Sequence, residues 1–279
     1  MRKLIVNADD LGISLGVNAQ IEECIHRGVV TSSTLMANAP AFEDGVRVAK
    51  QYPQISVGVH LNLIEFKPLT NKAIFHKHGI TDSEDRFIEG AIFALPIDEE
   101  LKQAVFEEWD AQIARVEEAG IIPTHLDSHQ HTHTIEALHE PLVKVLEKHG
   151  INKVRRKIVP SIKLMLRGKK HPVVHLDKSK AFPMKKHNVL YRRFHLFVVI
   201  IANKHWNRKM KKCFVMADSF YAFRDFFYNN SVINMGGTSS IVELMCHPGH
   251  IAFQDETARL IGESWLPEGY RLISYKDLK

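Results

Sequence analysis

Strand-like apolar runs alternate with helix-like stretches along this chain, and that alternation restricts it to a parallel α/β fold. Residues 3–8 read as a short buried strand. Ser14 is placed to cap the next helix, where Val17, Ile21, Cys24 and Ile25 recur at helical spacing before Gly28. Residues 31–36 are β-prone, 41–50 helical with Val46 and Ala49 inward, and Ser56 to Leu63 alternates as a strand. Residues 98–119 give the clearest helix, with Leu101, Val105, Trp109, Ile113 and Val116 on one face and Gly120 at its end. A strand is predicted at Thr124 to His131, a helix at 135–149, and strands at Lys153 to Arg156, Phe214 to Phe220 and Ile241 to Cys246. This order implies a parallel sheet or barrel with an outer layer of helices. Residues 65–97, broken by Pro68, Gly79, Gly90 and Pro96, are expected to form a lid or binding loop. With no internal repeat and no low-complexity linker, residues 1–279 are read as a single domain.

Barrels of that kind carry their chemistry at the C-terminal ends of the strands, and reactive side chains collect at four such ends here. Asp9 and Asp10 close the first strand. Neighbouring carboxylates on extended backbone point to opposite faces, so one would serve a cation and the other a proton. A polar turn partnered by Asn7 is the plainer reading of that pair. His60 ends Gly58-Val59-His60, where a lone imidazole is either a hydrogen-bonded core residue or a ligand.

The run from His125 to His133 is more specific. On extended backbone His125, Asp127, His129 and His131 share one face. Buried there, each needs a partner. A metal ion would provide it, with Asp127 or another group orienting a ligand from behind; an exposed histidine-rich strand end is the alternative. Spacing leaves His125, His129 and His131 all eligible, His129 being nearest the expected strand end. These donors suit zinc or another transition ion, and magnesium also fits. His247, before Pro248-Gly249, is a proton donor opposite the metal or a plain strand-to-loop turn.

Together the four ends point to metal-assisted hydrolysis, in which a carboxylate takes a proton from water and a histidine protonates the leaving atom. A metal-dependent phosphoesterase would use a similar cluster. The P-loop, the GxGxxG fingerprint and the GxSxG elbow are absent, so nucleotide binding and serine hydrolysis lack their usual marks.

The net charge of +5 hides an asymmetry. Residues 151–212 hold 19 of the 37 Lys and Arg and a single acid, Asp177, so the stretch carries +18 and the remainder −13. An anion- or nucleic-acid-binding role competes for that stretch. It contains no nucleic-acid motif, and Leu190, Phe194, Phe197, Val198 and Ile201 are expected to be buried on one of its two helical parts, so nucleic acid is disfavoured. Cys24, Cys213 and Cys246 are far apart, which fits a reducing cytosol better than a disulfide framework. Polar residues follow the first strand too soon for a signal peptide. The longest apolar run, near Phe194 to Ala202, falls short of the ~20 residues of a membrane span. A cytoplasmic protein without a membrane partner is expected.

Five segments, taken in order, resemble the YdjC-like (ChbG-type) carbohydrate deacetylases. They are Asn7-Ala8-Asp9-Asp10-Leu11-Gly12, Gly58-Val59-His60-Leu61-Asn62-Leu63, Lys67-Pro68-Leu69-Thr70, Thr124-His125-Leu126-Asp127-Ser128-His129-Gln130-His131 and Glu243-Leu244-Met245-Cys246-His247-Pro248-Gly249. The resemblance implies an α/β fold, a distorted (β/α) barrel of the polysaccharide-deacetylase/glycoside-hydrolase type. It also implies removal of the acetyl group from N-acetylglucosamine units of small chito-oligosaccharides. Carried over by position, it implies Asp10, His60 and His129 as metal ligands, Asp9 as general base and His247 as general acid. Arg155 and Arg156 would touch the sugar or steady the acid, and His125, Asp127 and His131 stay as alternative ligands or supports. The implied cofactor is a divalent ion, usually magnesium in the family and zinc in related deacetylases. The expected partner is an acetylated amino-sugar oligosaccharide, with a homodimer left open. Residues 160–212 look little like the family pattern and are read as a basic variable segment, and the tail after Gly249 looks shortened.

Overall fold

A computed structural model describes residues 1–159, 189–228, 240–262, 265–266 and 268–279, with side chains from 197 onward in the second of these ranges. Seven parallel strands make one curled sheet: β1 (Arg2–Leu11), β2 (Ser32–Leu35), β3 (Ser56–Leu61), β4 (Leu126–Ser128), β5 (Ser219–Ala222), β6 (Ile241–Cys246) and β7 (Tyr270–Ile273). The order is β4-β3-β2-β1-β6-β5. β7 pairs with residues 2–5 of β1 and β2 with residues 7–11, so the two share one edge of β1 while β6 takes the other. Isolated bridges from Leu126 to Val154 and from Lys153 to Val215 carry the curl past β4 toward the segment leading into β5. The strand ends therefore converge on one mouth, as the alternating sequence implies.

Helices α1 (Leu15–His26), α2 (Phe42–Gln51), α3 (Lys72–Lys77), α4 (Ala91–Ala94), α5 (Glu99–Glu118) and α6 (His139–Lys148) follow in order. The Ser14 hydroxyl accepts the Val17 N–H at 3.2 Å and the Asp98 carboxylate accepts the Leu101 N–H at 2.9 Å. Caps of this type contribute about 1 kcal/mol each. The α5 stripe of Leu101, Val105, Trp109, Ile113 and Val116 is buried, and side chains of that size contribute about 1.5–3 kcal/mol apiece. No helix among the described residues is long and apolar enough to cross a membrane.

Several local expectations change. The strand expected over Thr124 to His131 is three residues long, and the chain then turns through a 3-10 segment, His129–Thr134, with Gln130 and His131 in left-handed conformation. The Ser128 hydroxyl accepts the His133 N–H at 2.8 Å and closes this turn, so the sequence alternation is not read out on extended backbone. The segment Lys153 to Arg156 makes only isolated bridges, and the strand expected at Phe214 begins at Ser219. Residues 65–97 include α3, α4 and an antiparallel bridge between Thr81 and Phe87, packed on buried Phe75, Ile80 and Ile92.

In the basic stretch, the helix Val189–Met210 buries Ile200, Trp206 and Met210 but leaves Phe197, Val198 and Ile201 about half exposed, against expectation. The side chains of Leu190 and Phe194, and residues 160–188 of the stretch, lie outside the described residues.

Candidate active site

Asp9 and Asp10 sit at a bulge. Ala8 pairs with Ser33 and Leu11 with Leu35, so β1 carries one extra residue there, and Asp10 has φ +67°. A bulge re-aims the side chains beside it. The rule that neighbouring carboxylates face apart holds only on regular extended backbone, and here both reach the mouth with different neighbours.

Asp10 meets two imidazoles. Its Oδ1 lies 3.2 Å from His60 Nε2 and 2.9 Å from His129 Nδ1. His60 Nδ1 lies 2.6 Å from Asp127 Oδ1 and 3.1 Å from the Thr34 hydroxyl. A carboxylate only accepts, so a neutral His60 donates from Nδ1 to Asp127 and turns the lone pair of Nε2 toward Asp10. Two acceptors that close need a cation or a proton between them. Burial pushes both imidazoles down, but the Asp127 and Asp10 carboxylates outweigh it and lift His60 to about 10, and Asp10 lifts His129 to about 9. Asp10 itself is held well below the usual carboxylate range, since these two rings outweigh its burial.

Asp10, His60 and His129 form a group able to hold a metal ion, with Asp127 supporting His60 from behind. Asp9, His60 and Asp127 form a second such group, but Arg155 already pairs with both of its carboxylates. A third, His78, Asp98 and Glu100, lies on the surface away from the mouth; Asp98 caps α5 and Glu100 pairs with Lys77. His125 and His131 belong to none of the three. The turn after Ser128 takes His131 off the shared face, and its ring packs edge-on against Phe220 at 5.6 Å.

Asp9 belongs to a different network. Arg155 Nη1 and Nη2 bind its two oxygens at 2.6 and 2.7 Å, and Asn7 Nδ2 donates to Oδ1 at 2.9 Å. The same guanidinium reaches Asp127 at 2.7 Å and Glu243 at 2.7 Å and lies over the Phe220 ring. Burial would raise the Asp9 pKa, but Arg155 outweighs it and holds the carboxyl well below its ordinary range. Arg155 is fully buried, and its guanidinium is occupied by Asp9, Asp127 and Glu243. Half-buried Arg156 donates to the carbonyls of Ala217 and Asp218 at the entry to β5.

His247 follows β6. Its backbone N–H donates to Glu256 Oε2 at 2.9 Å, its Nδ1 lies 3.5 Å from the same oxygen, and its ring stacks on Phe253 at 4.5 Å. Burial lowers its pKa, but Glu256, then Asp10 and Asp9, outweigh this and the net shift is upward. With Nδ1 facing Glu256, Nε2 is the atom free to serve the mouth. Glu243, Thr34 and Glu256 were not singled out by sequence reasoning. A charge inside the apolar run Ile241–Cys246 could have marked Glu243; nothing local marks the other two.

A profile of the family described as YdjC-like protein matches residues 3–274. The chain belongs to the YdjC-like family. Curated relatives named carbohydrate deacetylase include one from Brevibacillus brevis, 41% identical over 152 residues, covering 53% of this chain and 57% of the relative. Another, from Halalkalibacterium halodurans, is 35% identical over 150 residues, covering 53% and 62%. The matched stretch thus spans less than two thirds of either relative. A crystal structure of an Enterococcus faecalis protein, described as a candidate cellobiose-phosphate cleavage protein, superposes with a TM-score of 0.69 at 22% identity over 99% of this chain and 98% of that one. That likeness carries the fold, a curled parallel sheet with helices, and agrees with the α/β barrel expected from the sequence.

Proposed function

We propose that this YdjC-like chain is a divalent-metal-dependent carbohydrate deacetylase that hydrolyses the N-acetyl group of N-acetylglucosamine units in small chito-oligosaccharides. One observation carries the reading. The bulge at Asp9-Asp10 turns one carboxylate to a pair of imidazoles and the other to an arginine clamp, within one mouth. The names of the curated relatives support the reaction class.

In this reading Asp10, His60 and His129 hold the ion. The negative charge of Asp9, Asp10, Asp127 and Glu243, all nearly or fully buried, against the single guanidinium of Arg155 fits a cation at that point. A bound divalent ion acidifies water and polarises a carbonyl. Asp9, kept ionised and oriented by Arg155, takes the proton of the attacking water. His247 Nε2 gives a proton to the amide nitrogen as the C–N bond breaks, leaving acetate and a free amine. Arg156, which donates to the carbonyls of Ala217 and Asp218, is the arginine we assign to the sugar in this reading. Magnesium is the ion we favour, with zinc as the competitor. The free cysteines Cys24 and Cys246, both buried, support a reducing, cytoplasmic setting.

The test is metal analysis of the purified protein, paired with acetate release from a chito-oligosaccharide panel that includes a 6-phosphorylated disaccharide. Metal-dependent acetate release is expected. Phosphate release without acetate would replace this reading with a phosphoesterase.

A further inference from the structure

The geometry points to His125 as a positioning residue: it fixes the orientation of the Asn7 side chain and, through it, the Asp9 carboxylate. This rests on Asp9 being the general base.

His125 is fully buried, and its ring has no room to turn. One face stacks on Tyr275 at 3.7 Å with planes 8° apart. On β3, a Cβ added at Gly58 would lie 2.7 Å from the ring. Nε2 is 3.0 Å from Asn7 Oδ1 and Nδ1 is 2.8 Å from the Thr124 hydroxyl.

The protons can be assigned by elimination. Asn7 Nδ2 lies 2.9 Å from Asp9 Oδ1, and an ionised carboxylate only accepts, so the NH2 end of the amide faces Asp9. Asn7 Oδ1 therefore faces His125 and accepts its Nε2–H. His125 Nδ1 is then an acceptor facing the Thr124 hydroxyl; that hydroxyl also lies 3.0 Å from the Val57 carbonyl, which already accepts the Thr124 N–H at 2.8 Å, so its one proton is available to Nδ1. Were Asn7 turned over, its carbonyl would oppose Asp9 and its NH2 would meet a donor. A hydrophobic residue in place of His125 would fill the same space and leave Asn7 Oδ1 without its donor, so that the amide would be held from its Nδ2 end alone, by Asp9 at 2.9 Å and Thr34 at 3.2 Å. The arginine clamp sets where the Asp9 carboxylate lies, with Nη2 donating to Oδ1 at 2.7 Å; the line from His125 through Asn7 supplies the second donor to that oxygen.

The experiment compares His125→Leu with His125→Gln, whose amide can present a donor where Nε2 stands. Acetate release from chitobiose and magnesium or zinc affinity by calorimetry are measured on each. His125→Leu is expected to lower kcat about ten- to a hundredfold, as a misplaced catalytic group does, with KM and metal affinity unchanged, and His125→Gln is expected to recover most of it. Full kcat in His125→Leu, an equal fall in both variants, or loss of metal affinity in step with kcat would each overturn the proposal. Should His125→Leu fail to fold, His125→Gln is compared with His125→Asn, which is too short to reach Asn7; equal kcat in those two overturns it. Asp9→Asn is run alongside. If Asp9→Asn stays active, the base assignment falls and takes this role with it; if Asp9→Asn is dead while His125→Leu is fully active, only the positioning role falls.

Discussion

Arg155 grips both carboxylate oxygens of Asp9, at 2.6 and 2.7 Å, from a fully buried position. The same guanidinium offsets Asp127 and Glu243, so one side chain offsets three buried acids. Removing one partner of a buried ion pair costs about 3–5 kcal/mol, because the other charge is left uncompensated. Arg155→Leu is expected to destabilise the chain by at least that much in urea unfolding. Arg155→Lys should fold but lose the two-pronged grip, and so lose activity out of proportion to stability.

Asp9 and Asp10 are neighbours in the chain but answer to different tests. Asp9→Asn should lower acetate release by about 10² or more, the range for loss of a general base, while metal binding persists. His129→Ala should lose the metal. Calorimetry with magnesium and with zinc on both variants checks the pair; an active Asp9→Asn would falsify the base assignment.

The pH–rate profile carries a signed expectation. In its proposed role His247 is an acid only while protonated, and its pKa is raised above the ordinary value by Glu256, Asp10 and Asp9 against the effect of burial. Activity should therefore persist above the pH at which an ordinary histidine deprotonates, and fall as pH rises through the raised value. Glu256→Gln removes the leading upward influence, so the alkaline limb should move to lower pH. Asp9, held low, stays ionised through mildly acidic pH, so the acid limb belongs to another group. An alkaline limb unmoved in Glu256→Gln would separate Glu256 from the proton donor.

Gly58 is small because His125 occupies the space beside it. A Cβ there would lie 2.6 Å from the His125 carbonyl oxygen and 2.7 Å from its ring. Backbone cannot yield as a flexible side chain can, so Gly58→Ala should cost about 1–3 kcal/mol, the usual penalty of overpacking. Thermal unfolding measures it, and a variant as stable as the parent would mean that β3 and β4 can separate.

Glu108 gives a prediction away from the chemistry. It is buried on α5 and accepts the N–H groups of Leu69 and Thr70 at 3.1 and 2.8 Å. Burial raises its pKa against those bonds. Glu108→Leu would strand both donors, a cost of about 1–3 kcal/mol for each one left buried and unpaired. Limited proteolysis should then cut first near residues 65–71.

Sequence periodicity sufficed wherever a residue's place follows from its own neighbours. The α5 stripe, the Ser14 cap and the strand Ile241–Cys246 came from local spacing and match the structure. The gathering of Asp9, Asp10, His60, His129 and His247 at one mouth follows from strand order, because parallel strands present their C-terminal ends together.

What local pattern could not decide was orientation. Alternation placed His125, Asp127, His129 and His131 on one face, but extended backbone stops at Ser128: Asp127 and His129 meet around His60 and Asp10, while His125 packs on Tyr275 and His131 on Phe220. Asp9 and Asp10 look incompatible on one face until a bulge, set by pairing with β2, re-aims them. The sequence left Arg155 between touching the sugar and steadying the acid, because its three carboxylate partners lie 28 to 146 positions away in the chain. The sequence by itself determined which reactive residues stand at which strand end. Only the tertiary structure decided which of them touch, since hydrogen bonds and ion pairs between distant strands depend on register and backbone turn, and neither is written in the spacing of one segment.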